Sequence, residues 1–217
     1  MKKLSLVLSS CALALSAAHA NAELSANVAM STDYVWRGFT QTLGDPATSG
    51  GFDYAHESGA YAGIWGSNVD FGTTANMEFD AYAGYAADVA EGVGIDVGVI
   101  RYMYPDEGAL NWNEVYGSVS YMGATLGLAY SDDVYGGDVD GIYYSAGYEA
   151  ALPMDVTLSA SIGYYDIDAS NANSFDWKVA VSREYQGIGV ELAYFDVDSD
   201  TNSLDDDGLV FTLSKSM

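Results

Sequence analysis

Cysteine is almost missing from this chain: of 217 residues only one, Cys11, carries a thiol. It falls inside an N-terminal stretch that reads as a cleavable leader. The mature chain is therefore expected to hold no disulfide, thiol nucleophile or thiolate metal site. Basic residues are scarce as well, with 7 Lys and Arg against 31 Asp and Glu and a formal charge of -24. Such a surface repels phosphates, which excludes nucleic acid as a partner, and it concentrates cations. Histidine is nearly absent, 2 in all, and only His56 lies beyond the leader. It adjoins the turn Glu57-Ser58-Gly59, and consecutive turn residues do not assemble a nucleophile and its base, so an enzyme is not expected. After Ala22 no run approaches the roughly eighteen apolar residues of a transmembrane helix. Disorder, the usual partner of high net charge, is excluded by 18 Tyr, 4 Trp and 7 Phe and by a hydrophobic fraction of 49%.

The leader itself has the expected parts. Met1-Lys2-Lys3 is a positive start, Leu4 to Ala18 is apolar but short, and Ala18-His19-Ala20 or Ala20-Asn21-Ala22 supplies small residues for cleavage. Leu8-Ser9-Ser10-Cys11 resembles a lipoprotein box, but the apolar stretch runs on through Leu13 and Leu15 to the Ala-x-Ala sites. The organisation read from this is a signal peptide, 1–22, and one domain, 23–217.

Within that domain short alternating runs recur, rich in Tyr, Val and Gly. Period-2 alternation predicts strands, over 24–40, 48–56, 60–69, 75–88, 93–105, 111–122, 124–131, 141–150, 154–167, 174–185, 188–197 and 208–216. Their connections alternate strictly. Glu57-Ser58-Gly59, Val89 to Gly92, Met122-Gly123, Ala151-Leu152-Pro153 and Gln186-Gly187 are tight, and the intervening ones are longer and rich in Asp and Asn. Short turns at one end and long loops at the other are the layout of a transmembrane antiparallel up-and-down β-barrel, here of about twelve strands. A soluble sandwich would alternate too. The membrane is favoured by aromatic residues near strand ends and by charge in mid-strand on the polar face.

Parity assigns the faces. Met77, Phe79, Ala81 and Ala83 oppose Glu78, Asp80 and Tyr82, and Phe175, Trp177 and Val179 oppose Asp176 and Lys178. A mid-strand Arg or Lys facing lipid costs about 2–4 kcal/mol, so charge is expected to point inward. The expected lumen-lining set is Asp33, Arg37, Asp53, Glu78, Asp80, Arg101, Glu114, Glu149, Lys178 and Glu191. Arg101 fits awkwardly, because Ile95, Val97 and Val99 share its parity, and a bulge near Ile100 is expected to turn it inward. Asp196, Asp198, Asp200 and Asn202 echo the spacing of a calcium loop but lack its central glycine and closing glutamate. No cofactor is expected beyond a weakly bound Ca2+ or Mg2+ on this loop.

The string Asp33-Tyr34-Val35-Trp36-Arg37-Gly38-Phe39-Thr40-Gln41 is distinctive. It is followed by Gly50-Gly51-Phe52-Asp53-Tyr54, by Ser58 to Val69, by Glu78 to Tyr85 and by Tyr102-Met103-Tyr104-Pro105. Together these segments resemble the TorF-like family of proteobacterial porins. The resemblance implies an outer-membrane location and porin-like transport, and names no substrate. The C-terminal alternation Leu209, Phe211, Leu213 is similar to the strand that barrel-assembly machinery recognises, though the chain ends in Met217. The expected function is passive diffusion of small polar or cationic solutes, in contact with outer-membrane lipid and lipopolysaccharide. The alternative is a non-conducting barrel for structure or surface interaction, whose acidic loops bind divalent ions. Twelve strands lie between the filled eight-stranded barrel and the open sixteen-stranded one, so a narrow pore and a plugged lumen both fit.

Overall fold

The computed structural model describes residues 23–170, 172–201, 204 and 206–217. The leader assigned to 1–22, with Cys11, lies outside them. In chain order the strands are β1 (Glu23–Ser31), β2 (Val35–Trp36), β3 (Phe39–Thr40), β4 (Ala47–Ala55), β5 (Ala60–Asn68), β6 (Met77–Ala90), β7 (Val93–Met103), β8 (Trp112–Tyr121), β9 (Ala124–Ser131), β10 (Gly141–Leu152), β11 (Val156–Ile167), β12 (Ser174–Tyr185), β13 (Ile188–Ser199) and β14 (Asp206–Ser216). Twelve of them, β1 and β4 to β14, form one closed antiparallel barrel in which every strand pairs with its neighbour in sequence and β1 closes on β14. Closure removes the unpaired edges that an open sheet would expose. The other two form a separate hairpin, β2–β3.

The barrel is inside-out relative to a soluble domain. Ile64, Val97, Val99, Leu126 and Ile162 are all more than half exposed on the outer face, while Glu78 and Asp80 are each only 2% exposed. This distribution satisfies apolar surroundings outside and polar packing within. The wall also carries a recurring fit. Tyr61 lies opposite Gly84, Tyr82 opposite Gly63 and Tyr116 opposite Gly98, and in each case the tyrosine ring covers the space a glycine Cβ would fill. Inward tyrosines thus lie flat across neighbouring strands instead of standing into the lumen.

Two departures from the sequence reading follow. The first strand ends at Ser31 and not at residue 40, because the chain then turns into the lumen and makes the hairpin. Arg101 faces outward, correcting its placement in the lumen. The β6–β7 register is regular from Phe79 opposite Met103 to Asp88 opposite Gly94, and its irregularity falls between Asp88 and Ala90. The physical reason is position: Arg101 lies two residues from the end of β7, where a long side chain reaches past the apolar band. There it donates to Asn113 Oδ1 at 2.9 Å.

Candidate functional site

The hairpin turns on Arg37 and Gly38, both with positive φ, 49° and 83°. That pair of values is the type I′ geometry of two-residue hairpins, and Gly38 serves it without a Cβ penalty. Its base is tied by Asp33, whose Oδ1 accepts from the hydroxyls of Thr40 and Thr42 at 2.7 Å each, and by Gln41 N–H donating to Tyr34 O at 2.6 Å.

From this base the hairpin reaches across the lumen. Tyr34 donates to Glu78 Oε1 on β6 at 2.8 Å, and Tyr104 donates to Glu78 Oε2 at 2.7 Å. Arg37 Nη2 lies 2.8 Å from both carboxylate oxygens of Glu114 on β8. The guanidinium carbon also sits 4.2 Å from the ring centre of Trp36 and 4.1 Å from that of Tyr143 on β10, with Tyr165 of β11 at 4.9 Å. A buried cation is stabilised by one carboxylate and several aromatic faces together. Trp36 makes edge contacts with Tyr102, Trp112, Tyr135 and Tyr165 at 6.0–6.2 Å, while Tyr102 stacks on Trp112 at 4.4 Å. On the far wall, a Cβ built on Gly38 would lie 2.7 Å from the Cβ atoms of Asp176 and Val197. The hairpin therefore touches walls on opposite sides of the barrel.

Around it the lumen is acidic. Asp53 accepts from Asn27 at 3.2 Å and from the Tyr82 hydroxyl. Asp96 accepts from Tyr61 at 2.6 Å, and Asp176 from Tyr143 at 3.0 Å. Glu191 is buried. Glu149 and Lys178 share the parity of the inward-facing Tyr143 and Asp176, Glu149 near the end that carries the short turns. Asp80 differs from all of these: it is buried, and neither carboxylate oxygen has a hydrogen-bond partner among the described residues.

The structure thus brings Arg37, Glu78, Glu114 and Asp33 together at the hairpin and ranges Asp53, Asp80, Glu149, Lys178 and Glu191 round the wall. Asp96 and Asp176, and the aromatic partners Tyr143 and Tyr165, join the site without having been in the expected set. Of the residues with calcium-loop spacing, Asp196 and Asp198 lie in β13 on its outward parity, Asp200 accepts from Asn173 N–H at 3.3 Å, and Asn202 lies outside the described residues. Among the described residues no three carboxylate or histidine side chains converge as a metal site. His56 is exposed on its turn, with Nδ1 2.9 Å from Ser58 Oγ.

At the end of the barrel with the long loops, Glu107 ties two loops together. Its Oε2 accepts from Thr74 N–H, Thr74 Oγ1 and Ala75 N–H at 3.1 Å each. Hydrogen bonds from Thr73, Thr74 and the backbone hold its carboxyl below the usual glutamate range. A lowered folded-state value means the tie is present above the ordinary glutamate pKa of about 4.3 and is lost as pH falls through the lowered value. Protection factors of the Thr74 and Ala75 amides, corrected for the intrinsic pH dependence of exchange, are therefore expected to hold down through the ordinary glutamate pKa of about 4.3 and to fall only on further acidification, and Glu107→Gln is expected to remove that pH dependence.

These features define an inside-out up-and-down barrel with a hairpin folded into an acidic lumen. The chain belongs to the Gcw_chp family, bacterial proteins of unknown function, whose model matches residues 16–216. Among solved structures the fold is similar to the KdgM porin, at 8% identity with a TM-score of 0.60, covering 88% of this chain and 97% of that one. It is also similar to the NanC porin, at 10% identity and a TM-score of 0.57, covering 88% and 98%. A KdgM porin in complex with disordered oligogalacturonate gives 8% and 0.59, covering 89% and 96%. No curated protein matches in sequence.

Proposed function

We propose that the protein is an outer-membrane channel of porin type, akin to the TorF-like porins, for passive diffusion of small polar or cationic solutes, with the lumenal hairpin as its constriction. The observation that carries this reading is the lumen: Asp53, Glu78, Asp80, Asp96, Glu114, Asp176 and Glu191 face inward against Arg37 and Lys178. Excess carboxylate in a narrow, weakly screened passage favours cations. Similarity to KdgM and NanC porins across nearly the whole barrel supports the class. The short turns and both termini then face the periplasm, and the long acidic loops face outward, where weak Ca2+ or Mg2+ bridging to lipopolysaccharide is in reach.

The test is single-channel recording of the refolded barrel under a KCl gradient. Discrete steps with a cation-selective reversal potential are expected, and anion preference would overturn the assignment of the lumen. The packing of Arg37 and Trp36 favours a second reading, a permanently plugged barrel, for which a correctly folded protein would pass no current. Membrane insertion has its own check in denaturant titrations in lipid vesicles. Val97→Arg, which puts charge mid-wall, is expected to cost about 2–4 kcal/mol, whereas Arg101→Gln at the rim is expected to cost below about 1 kcal/mol.

A further inference from the structure

Beyond the leader the cations are Arg37, Arg101, Lys178, Arg183 and Lys215. Arg37 and Lys178 serve the lumen, and Arg101 sits at the end with the long loops. The other two stand on the outer wall at the opposite end. Arg183 has the outward parity of β12, two residues before that strand ends, with Val156 of β11 and Val190 of β13 as its cross-strand neighbours. Lys215 has the outward parity of β14, and its Nζ lies 3.6 Å from where a Cβ on Gly187 would stand, over the turn that joins β12 to β13. A shallow groove of about 430 Å³ opens on this face. Tyr185 lines it nearest the turn, Arg183, Val156 and Val190 line it at the next level, and Val181 and Leu192 line it farther in. No acid lines the groove: Glu184 and Glu191 have the lumenal parity. Neither Arg183 nor Lys215 has a hydrogen bond or ion pair to another described residue. The Tyr185 hydroxyl accepts from Gln186 Nε2 at 3.4 Å, which leaves its own proton to donate outward.

We infer that this groove binds an anionic glycerophospholipid, whose phosphate is taken by Arg183, Lys215 and the Tyr185 hydroxyl while an acyl chain lies along Val190, Val181 and Leu192. The order of groups along the wall is the order of groups in the lipid. Two cations and a phenol stand at the rim, and an apolar floor runs from them toward the middle of the wall. A guanidinium suits phosphate as a planar fork of donors, long basic side chains reach head-group level from an apolar wall, and basic pockets at that level select acidic head groups. Charge picks the occupant: on a chain of charge -24, this face carries two unpartnered cations and no acid. A second copy of the chain fits worse. Two copies cross one bilayer in the same sense, so a two-fold axis along its normal would set Arg183 and Lys215 against themselves. The inference rests on the membrane reading, since only a wall turned to lipid meets this ligand, and it does not depend on whether the lumen conducts.

The probe is dioleoylphosphatidylglycerol, added to the delipidated full mature barrel in detergent micelles and read as bound lipid by native mass spectrometry. Dioleoylphosphatidylcholine, which has the same chains and no net charge, is the reference. Wild type is expected to bind a phosphatidylglycerol at least about tenfold more tightly than phosphatidylcholine. Arg183→Gln and Lys215→Gln are each expected to cut that preference about fivefold, the effect of one basic residue at an anionic head group, and the double variant to abolish it. Arg101→Gln, which removes a cation from the same wall at its far end, is expected to bind as wild type. Val181→Trp fills the groove without altering charge and is expected to weaken phosphatidylglycerol several-fold. Equal binding of the two lipids, a full preference in the double variant, or a dimer of barrels that excludes the lipid would each overturn the site. So would displacement of the lipid by an equal concentration of glycerol 3-phosphate, which would mark a bare anion site with no use for the chains. Insertion into phosphatidylcholine vesicles is measured alongside. A barrel that inserts without a lipid preference loses the site and keeps the membrane reading, and one that stays soluble without detergent loses both.

Discussion

Arg37→Ala is expected to raise single-channel conductance several-fold and to destabilise the barrel by about 3–5 kcal/mol, the usual cost of breaking a buried ion pair by deleting one partner. Both partners are nearly closed off, with side-chain exposures of 10% and 4%. Removing the guanidinium leaves the Glu114 carboxylate buried beside other acids and withdraws the group on which Trp36 and Tyr143 converge. Conductance and stability are expected to separate in the double variant. Arg37→Ala with Glu114→Gln removes the orphaned charge, so it is expected to recover about half or more of the lost stability, a coupling typical of residues in direct contact. Its conductance is expected to stay high, because nothing restores the anchor of the hairpin. Current traces and urea titrations on wild type, the two single variants Arg37→Ala and Glu114→Gln, and the double variant measure both quantities. An unchanged conductance in Arg37→Ala would show that the hairpin does not constrict the path.

Gly38→Val attacks the same hairpin without altering charge. The backbone at Gly38 has φ +83°, and a Cβ there would lie 2.7 Å from the Cβ atoms of Asp176 and Val197. A left-handed residue with a side chain costs about 1–2 kcal/mol in itself, and a β-branched one adds a clash with a rigid wall. The tip is therefore expected to be driven off β12 and β13, with conductance raised as in Arg37→Ala but with cation preference retained. Hydrogen exchange at Gln41 N–H, which donates to Tyr34 O, is expected to speed up by at least tenfold. Gly44→Ala is the matched control. Its φ is +81° but no atom lies within 4 Å of the added Cβ, so it bears the backbone strain alone and is expected to leave conductance unchanged.

The wall was legible in the sequence because a closed barrel imposes a two-residue period on every strand. Strands β4 to β14 fall within a few residues of the runs marked by alternation and by turn residues such as Met122-Gly123 and Gln186-Gly187. The hairpin was not legible by the same rule. Leu24, Ala26, Val28, Met30, Tyr34 and Trp36 keep one parity, so the alternation runs on after the chain has left the wall. The rule fails there because the aromatic residues of a lumenal hairpin are buried against protein and not turned to lipid. A signal was nevertheless present: Arg37-Gly38 between Tyr-Val-Trp and Phe-Thr has the x-Gly form of the two tight turns named above, and all three adopt positive φ at both residues. Arg101 was misplaced for a different reason. The cost of a charge on the outer face depends on depth, and parity carries no depth. Asp80 was placed on the correct face, but its want of partners depends on which tyrosines reach Glu78, and that is decided by the hairpin.

The seam of the cylinder lies beside the point where the chain dives inward. β1 and β14 share only a short ladder, from Asn27 opposite Ser216 to Ser31 opposite Thr212, and Thr32 continues it by donating to Phe211 O at 3.0 Å and accepting from Phe211 N–H. The next residues already belong to the inserted segment. Sealing the wall and stowing its contents are thus adjacent events on one stretch of chain. Because the segment springs from the end of β1, a disturbance that opens this short ladder is expected to loosen the base of the inserted hairpin together with the wall.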